Sequence, residues 1–216
     1  MLLTIQEKDY LIPERWTQVR LGQYQSFMEK IEDIDDQKVI DKIAISSFTG
    51  LSMPIIDKVR KGDVDVIRKH LFDLTKKPMN TTLNTIIEID GIDYGFHPKL
   101  KDLTFGEFVD LDNYLADAWK NMHYIMAILY RPIVSQKKKK YAIENYDADK
   151  CFDRAQIFKD SLSVATVNGA ATFFLTIGVE YQAVMKSSLN KQTKLMKKKK
   201  DLQTTMTSTL SGVGTE

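Results

Sequence analysis

Apolar residues in the first third of the chain return at helical spacing. Tyr24, Phe27, Met28, Ile31 and Ile34 step by three and four, as do Ile40, Ile43, Ala44, Ser47 and Phe48 before Thr49-Gly50 supplies a stop. The pattern predicts two short helices. Ser52 as N-cap, with Pro54 in the first turn, predicts a third short helix ending near Gly62. Asp63 then caps a fourth, whose stripe of Val64, Ile67, Leu71 and Leu74 runs until Lys76-Lys77-Pro78.

The period changes between Thr85 and Phe96. Ile87 and Ile89 alternate with polar neighbours, Asp90-Gly91 is a favoured two-residue turn, and Ile92, Tyr94 and Phe96 alternate on the return, so a β-hairpin is expected. An isolated hairpin is marginal in water, which requires this one to pack on helices or to pair with another strand, of this chain or another.

Helical steps resume after a capping box of Thr104 and Glu107. Phe108, Leu111, Leu115, Ala118, Met122, Ile125 and Leu129 form a heptad-like seam, and no Gly or Pro interrupts residues 107–131. A single helix of roughly 26 residues, about 39 Å long, is the expectation, closed by Arg131-Pro132. Lys137 to Lys140 and the polar stretch through Lys150 read as an exposed connection. A short helix follows near Cys151 to Lys159, then a longer one along Val164, Val167, Ala171, Phe174, Gly178, Tyr181 and Met185. In it Gly169, Ala170 and Gly178 permit close backbone approach.

The expected fold is thus mainly α, a helical bundle with two long helices and one β-hairpin. It divides into a short-helix region (1–84), the hairpin with the long helix (85–133), a basic linker (134–150), the C-terminal helices (151–200) and a flexible tail (201–216). Phe108, Leu111, Leu115, Met122, Ile125, Leu129, Phe174 and Tyr181 are the candidate protein-interface residues, because seam positions of this kind pack on other helices, within a bundle or across chains.

Composition narrows the function. The chain's 216 residues, 43% of them hydrophobic, suffice for a real core. Its single cysteine, Cys151, excludes an internal disulfide framework and points to a reducing compartment. Residues 1–13 lack the apolar run of a cleavable signal peptide. The 19 uncharged residues from Ser161 to Val179 carry too many Thr, Ser, Asn and Gly for a membrane span, so membrane association is not expected. Residues 1–130 carry a net charge of −5 and residues 131–216 one of +7, so the two ends of the chain suit different partners.

Chemistry-bearing motifs are scarce. Neither common glycine-rich phosphate loop occurs. His70, His97 and His123 lie far apart without cysteine or histidine at metal spacing, so no metal site is expected. His97 reads as a turn residue, His123 as a packed or surface histidine and Cys151 as an inert thiol. The acidic groups Asp33, Asp35, Asp36 and Asp147, Asp149, Asp153 fit solvated loops or helix starts better than a metal nuclease. No catalytic residue or cofactor follows, and an enzyme is not expected. Lys186, Lys191, Lys194, Lys197, Lys198, Lys199 and Lys200, with no acid between them, are candidates for weak non-specific DNA contact or for a solubilising tail. The lack of interleaved aromatics argues against sequence-specific recognition.

One resemblance goes further. The stretch IIEIDGIDYGFHPKLKDLTFGEFVDLDNYLADAWKNMHYIMAILYRPI (Ile86 to Ile133), with IPERWTQVRLGQYQSFMEKIED and ISSFTGLSMPIIDKV before it, resembles small proteins of the structural modules of tailed bacteriophages. The likeness is to crAss-like phages of Bacteroidales hosts and to tail-assembly-chaperone-like genes, and spans about Ile12 to Met185. It implies a non-enzymatic virion protein, structural or packaged cargo near the portal and tail, present in multiple copies among portal, tail or ring components and found in the host bacterial cytoplasm during assembly. A transient tail assembly chaperone absent from the mature virion is the alternative, and a non-specific DNA-binding protein another. The lysine-rich end favours residence in a particle that packages DNA.

Overall fold

The computed structural model describes residues 1–5, 7–138, 140–174 and 176. The chain forms two units, Met1–Thr172 and Phe173–Glu216. In the second, the described residues 173, 174 and 176 are helical, whereas Tyr181 and the seven lysines of 186–200 lie outside the described residues.

The first unit mixes helices with two antiparallel sheets. Strands β1 (Leu2–Ile5) and β2 (Lys8–Leu11) make a hairpin that the sequence reading missed, and its Tyr10 and Ile12 join the core of the helices that follow. Helices α1 (Leu21–Ile31), α2 (Gln37–Thr49), α3 (Met53–Ile56) and α4 (Lys61–Thr75) follow in the expected order, but α3 stops at Ile56, short of the expected end near Gly62, which lies inside α4. Gly50, at φ 77°, ends α2 in the left-handed conformation, its N–H donating to the Ser46 carbonyl at 3.0 Å. Asp63 lies inside the first turn of α4 and Arg60 takes the cap position.

Strands β3 (Ile86–Ile89) and β4 (Ile92–Phe96) form the expected hairpin, with Asp90 and Gly91 at φ 51° and 78° in its turn. The helical-bundle expectation fails just beyond them. After α5 (Phe105–Leu115) and α6 (Met122–Leu129) the chain enters β5 (Tyr130–Lys137) and β6 (Lys140–Ile143), giving a four-stranded antiparallel sheet in the order β3-β4-β5-β6. The fold is mixed α/β. The segment expected as a basic linker therefore contains a hairpin, with Lys137, Lys138 and Lys140 exposed near its tip, leading into α7 (Ala148–Ser161). A run of lysines reads as solvated chain, but Tyr141 holds it down: its hydroxyl donates toward the Phe96 and Thr85 carbonyls at 2.7 and 3.0 Å, and its ring fills the space over Gly95 where any Cβ would clash.

The single long helix is also corrected. Residues 116–121 are a turn, so α5 and α6 fold against each other and Tyr114 stacks on Tyr124 with ring centroids 4.6 Å apart. A continuous rod would have left much of its seam in water. Folding back buries Leu111, Met122, Ile125 and Leu129 while leaving Leu115 half-buried and Phe108 58% exposed. Pro132 does end the helix, because the residue before a proline is driven to extended geometry, but the chain continues as a strand. Among the described residues, no helix is long and apolar enough to cross a membrane.

Residues 164–172 are helical and dock on the loop before β3. Asn168 Nδ2 donates to the Asn80 carbonyl at 2.8 Å, and the Gly169 backbone lies so close to Thr82 that a Cβ would clash with its carbonyl oxygen. Gly169→Ala is therefore expected to destabilise the protein by about 2 kcal/mol or more in urea unfolding, through overpacking against backbone. Gly62→Ala, whose Cβ meets nothing within 4 Å, should be neutral or stabilising by up to about 1 kcal/mol. The turn at 116–121 makes a second forecast. Ile125→Asp buries an unpaired carboxylate and should cost several kcal/mol, whereas half-buried Leu115→Asp should cost clearly less in the same titration, an asymmetry that a continuous buried seam would not produce.

Candidate functional site

The apolar stripe of α1 is only partly covered, its Tyr24 packing against the core cluster of Trp16, Val19 and Leu74. Leu21 is the helix's one buried residue, while Tyr24, Phe27 and Ile31 are half-buried and Met28 is exposed. Both α1 and α4 pack on α2, and between them lies an open trough of about 870 Å³. Its floor is Ile40, Ala44 and Phe48 of α2, one wall is Tyr24, Phe27 and Met28, and the other is Leu71 and Phe72 of α4. Trp16 and Met79 also line it. Phe27 and Phe48 meet at 5.0 Å between ring centroids, and Trp16 meets Tyr24 edge-on at 6.2 Å. Phe72 is 60% exposed. Charged residues also line it: Lys69, and Arg68 of α4, which reaches Asp41 of α2 at 3.3 Å and Asp65 of its own helix at 3.9 Å. The arrangement resembles a bundle lacking one helix, a shape that receives an amphipathic helix through apolar anchors.

A second, polar pocket of about 540 Å³ lies beside the sheet. Glu107 of α5 and Arg131 of β5 sit at its base, 1% and 4% exposed, with Arg131 Nη2 2.5 Å from Glu107 Oε1. Among the described residues Arg131 Nε has no hydrogen-bond partner, so the guanidinium meets the carboxylate through Nη2. The other oxygen, Oε2, accepts the Thr104 N–H at 2.6 Å and completes the capping box read from the sequence. Tyr146 closes the side, its hydroxyl donating to Asp110.

His97 borders this pocket but offers no free base. Its Nδ1 accepts the Lys99 N–H at 3.3 Å, which places the ring proton on Nε2, the nitrogen facing Glu107 at 3.7 Å. Burial lowers its pKa despite the opposing pull of Glu107, so the ring is neutral near pH 7. His123 is buried, its Nδ1 3.1 Å from Gln25 Nε2, and burial, with Lys159 adding to it, lowers its pKa to about 4. His70 is half-buried on α4, its Nδ1 3.1 Å from the Val66 carbonyl. Cys151 is buried and desolvation pushes its thiol up to about 11, which keeps it protonated and unreactive at neutral pH. Asp36 and Asp147 cap α2 and α7, and among the described residues no group of three or more His, Cys, Asp or Glu is placed to hold a metal ion.

The expected interface residues of the first unit do not form one surface. Leu111, Met122, Ile125 and Leu129 are core, Leu115 is half-buried, Phe108 is exposed and Phe174 is a half-buried helical residue of the second unit. The trough, missed as a site, was nevertheless written in the chain: its wall and floor are the apolar stripes that predict α1 and α2. The family models, curated proteins and solved structures compared with this chain yield no match.

His123 supplies a pH forecast. Between pH 6.5 and about 4 the unfolded chain takes up a proton that the folded chain refuses, so stability should fall as the pH drops through that window. Urea titrations at stepped pH should show a shallower decline for His123→Gln than for the wild type.

Proposed function

We propose that the chain is a non-enzymatic protein of a tailed-bacteriophage particle, structural or packaged near the portal and tail, that works by packing against other particle proteins. The trough between α1 and α4 carries the reading: a folded unit has left aromatic and methionine side chains open over about 870 Å³, which water does not favour and a helix of another particle protein would cover. The resemblance of Ile86 to Ile133 to phage structural-module proteins points to the setting. The neutral, hydrogen-bonded state of His97 and the protonated state of Cys151 agree with a role in packing rather than catalysis.

Met28→Asp and Phe72→Asp change exposed trough residues and should leave the circular dichroism spectrum and urea midpoint close to wild type. Quantitative mass spectrometry of purified particles should then show incorporation reduced by about tenfold or more, a loss of roughly 1.4 kcal/mol in docking. Undiminished incorporation of both variants removes the trough from the interface. Absence of the wild-type protein from finished particles assigns it instead to transient assembly.

A further inference from the structure

Helix α7 turns an unpartnered face to solvent. Asp149, Phe152, Asp153, Gln156, Ile157 and Asp160 are all exposed and fall within one side of the helix. Phe152 is 55% exposed, and its ring lies 5.8 Å from Tyr124, which stacks in turn on Tyr114 of α5. Three rings therefore run across α7, α6 and α5 at the surface. Among the described residues Asp149, Asp153 and Asp160 take part in no ion pair, whereas Lys150 and Arg154 of the same helix are both engaged by Glu144. An apolar strip bordered by unpaired carboxylates suits a cationic partner with a few apolar anchors.

We propose that this face binds the lysine-rich segment 186–200 of a second copy of the chain. That segment carries seven lysines without an acid, interspersed with Leu189, Leu195 and Met196, and so matches the face in charge and in apolar content. Lysine over an aromatic ring is a contact this protein already makes, at Lys76 over Phe72 (4.2 Å) and Lys8 over Tyr10 (5.5 Å). Face and segment are different parts of the chain, so the contact is head-to-tail: each copy contributes one face and one segment, and successive copies form a ring or an open row. This contact uses a surface other than the trough and needs no other particle protein, so it stands or falls separately from the function proposed above.

The test uses the purified full-length protein alone. Sedimentation velocity over a concentration series at about 25 mM salt should show self-association that is lost near about 500 mM, where surface charges are screened. A face variant (Phe152→Ala, Asp153→Asn, Asp160→Asn) and a segment variant (Lys197→Gln, Lys198→Gln, Lys199→Gln, Lys200→Gln) should each self-associate at least about tenfold more weakly, while an equimolar mixture forms one-to-one heterodimers because each supplies what the other lacks. Circular dichroism of the face variant should match wild type, since all three positions are exposed. A wild type that stays monomeric at low salt overturns the inference. So does a folded face variant that associates as wild type, or a mixture that fails to form heterodimers.

Discussion

Helix α6 must be buried on nearly every side, and the first unit is arranged around that requirement. Seven of its eight residues are inside, so α5 and α7 have to cover it and the sheet has to begin where it ends. A helix that is apolar all round has no solvent face to offer, and a long straight rod through Phe108 to Leu129 would have given it one. The turn at 116–121 and the direct passage from Leu129 into β5 are the geometric consequences.

That passage carries a charge into the interior. Arg131 follows the last core residues and is buried with them, which is costly without a counter-ion. Glu107 answers it from α5, and the same carboxylate closes the cap of that helix through the Thr104 N–H. A local signal, the capping box, is thereby coupled to a long-range one, the position of β5 against α5. Leaving either charge without the other would strand an ion in a low-dielectric site, so the pair fixes the register of this corner whatever its net contribution to stability.

The first helices follow another logic. Their cluster around Ile45, Leu51, Ile56 and Ile67 is sealed by the β1-β2 hairpin, yet the stripe of α1 is only partly covered and the trough stays open. This cluster is built by α2, α3, α4 and the hairpin, so α1, anchored by buried Leu21, presents apolar surface outside it. A protein that acts by packing needs such a division between side chains that hold it together and side chains that meet something else.

Local chemistry was legible in the sequence wherever one segment suffices to satisfy it. The Asp90-Gly91 turn, the Thr104 and Glu107 capping box, the Gly50 stop and the close approach at Gly169 depend on backbone conformations or sizes that few residues supply, and each stands where the sequence put it. Tertiary structure decided what a segment cannot know about itself. Periodicity marks which positions are apolar, but whether a stripe such as Tyr24, Phe27 and Met28 is covered depends on how far α4 stands from α1. The lysines of β5 and β6 concealed a hairpin because the forces that hold it, Tyr141 on Gly95 and its hydroxyl on the carbonyls of Thr85 and Phe96, come from residues about 45 positions or more away. The seam of Phe108 to Leu129 reads as one rod, and burial decided otherwise: the fold-back removes Met122, Ile125 and Leu129 from water while stacking Tyr114 on Tyr124.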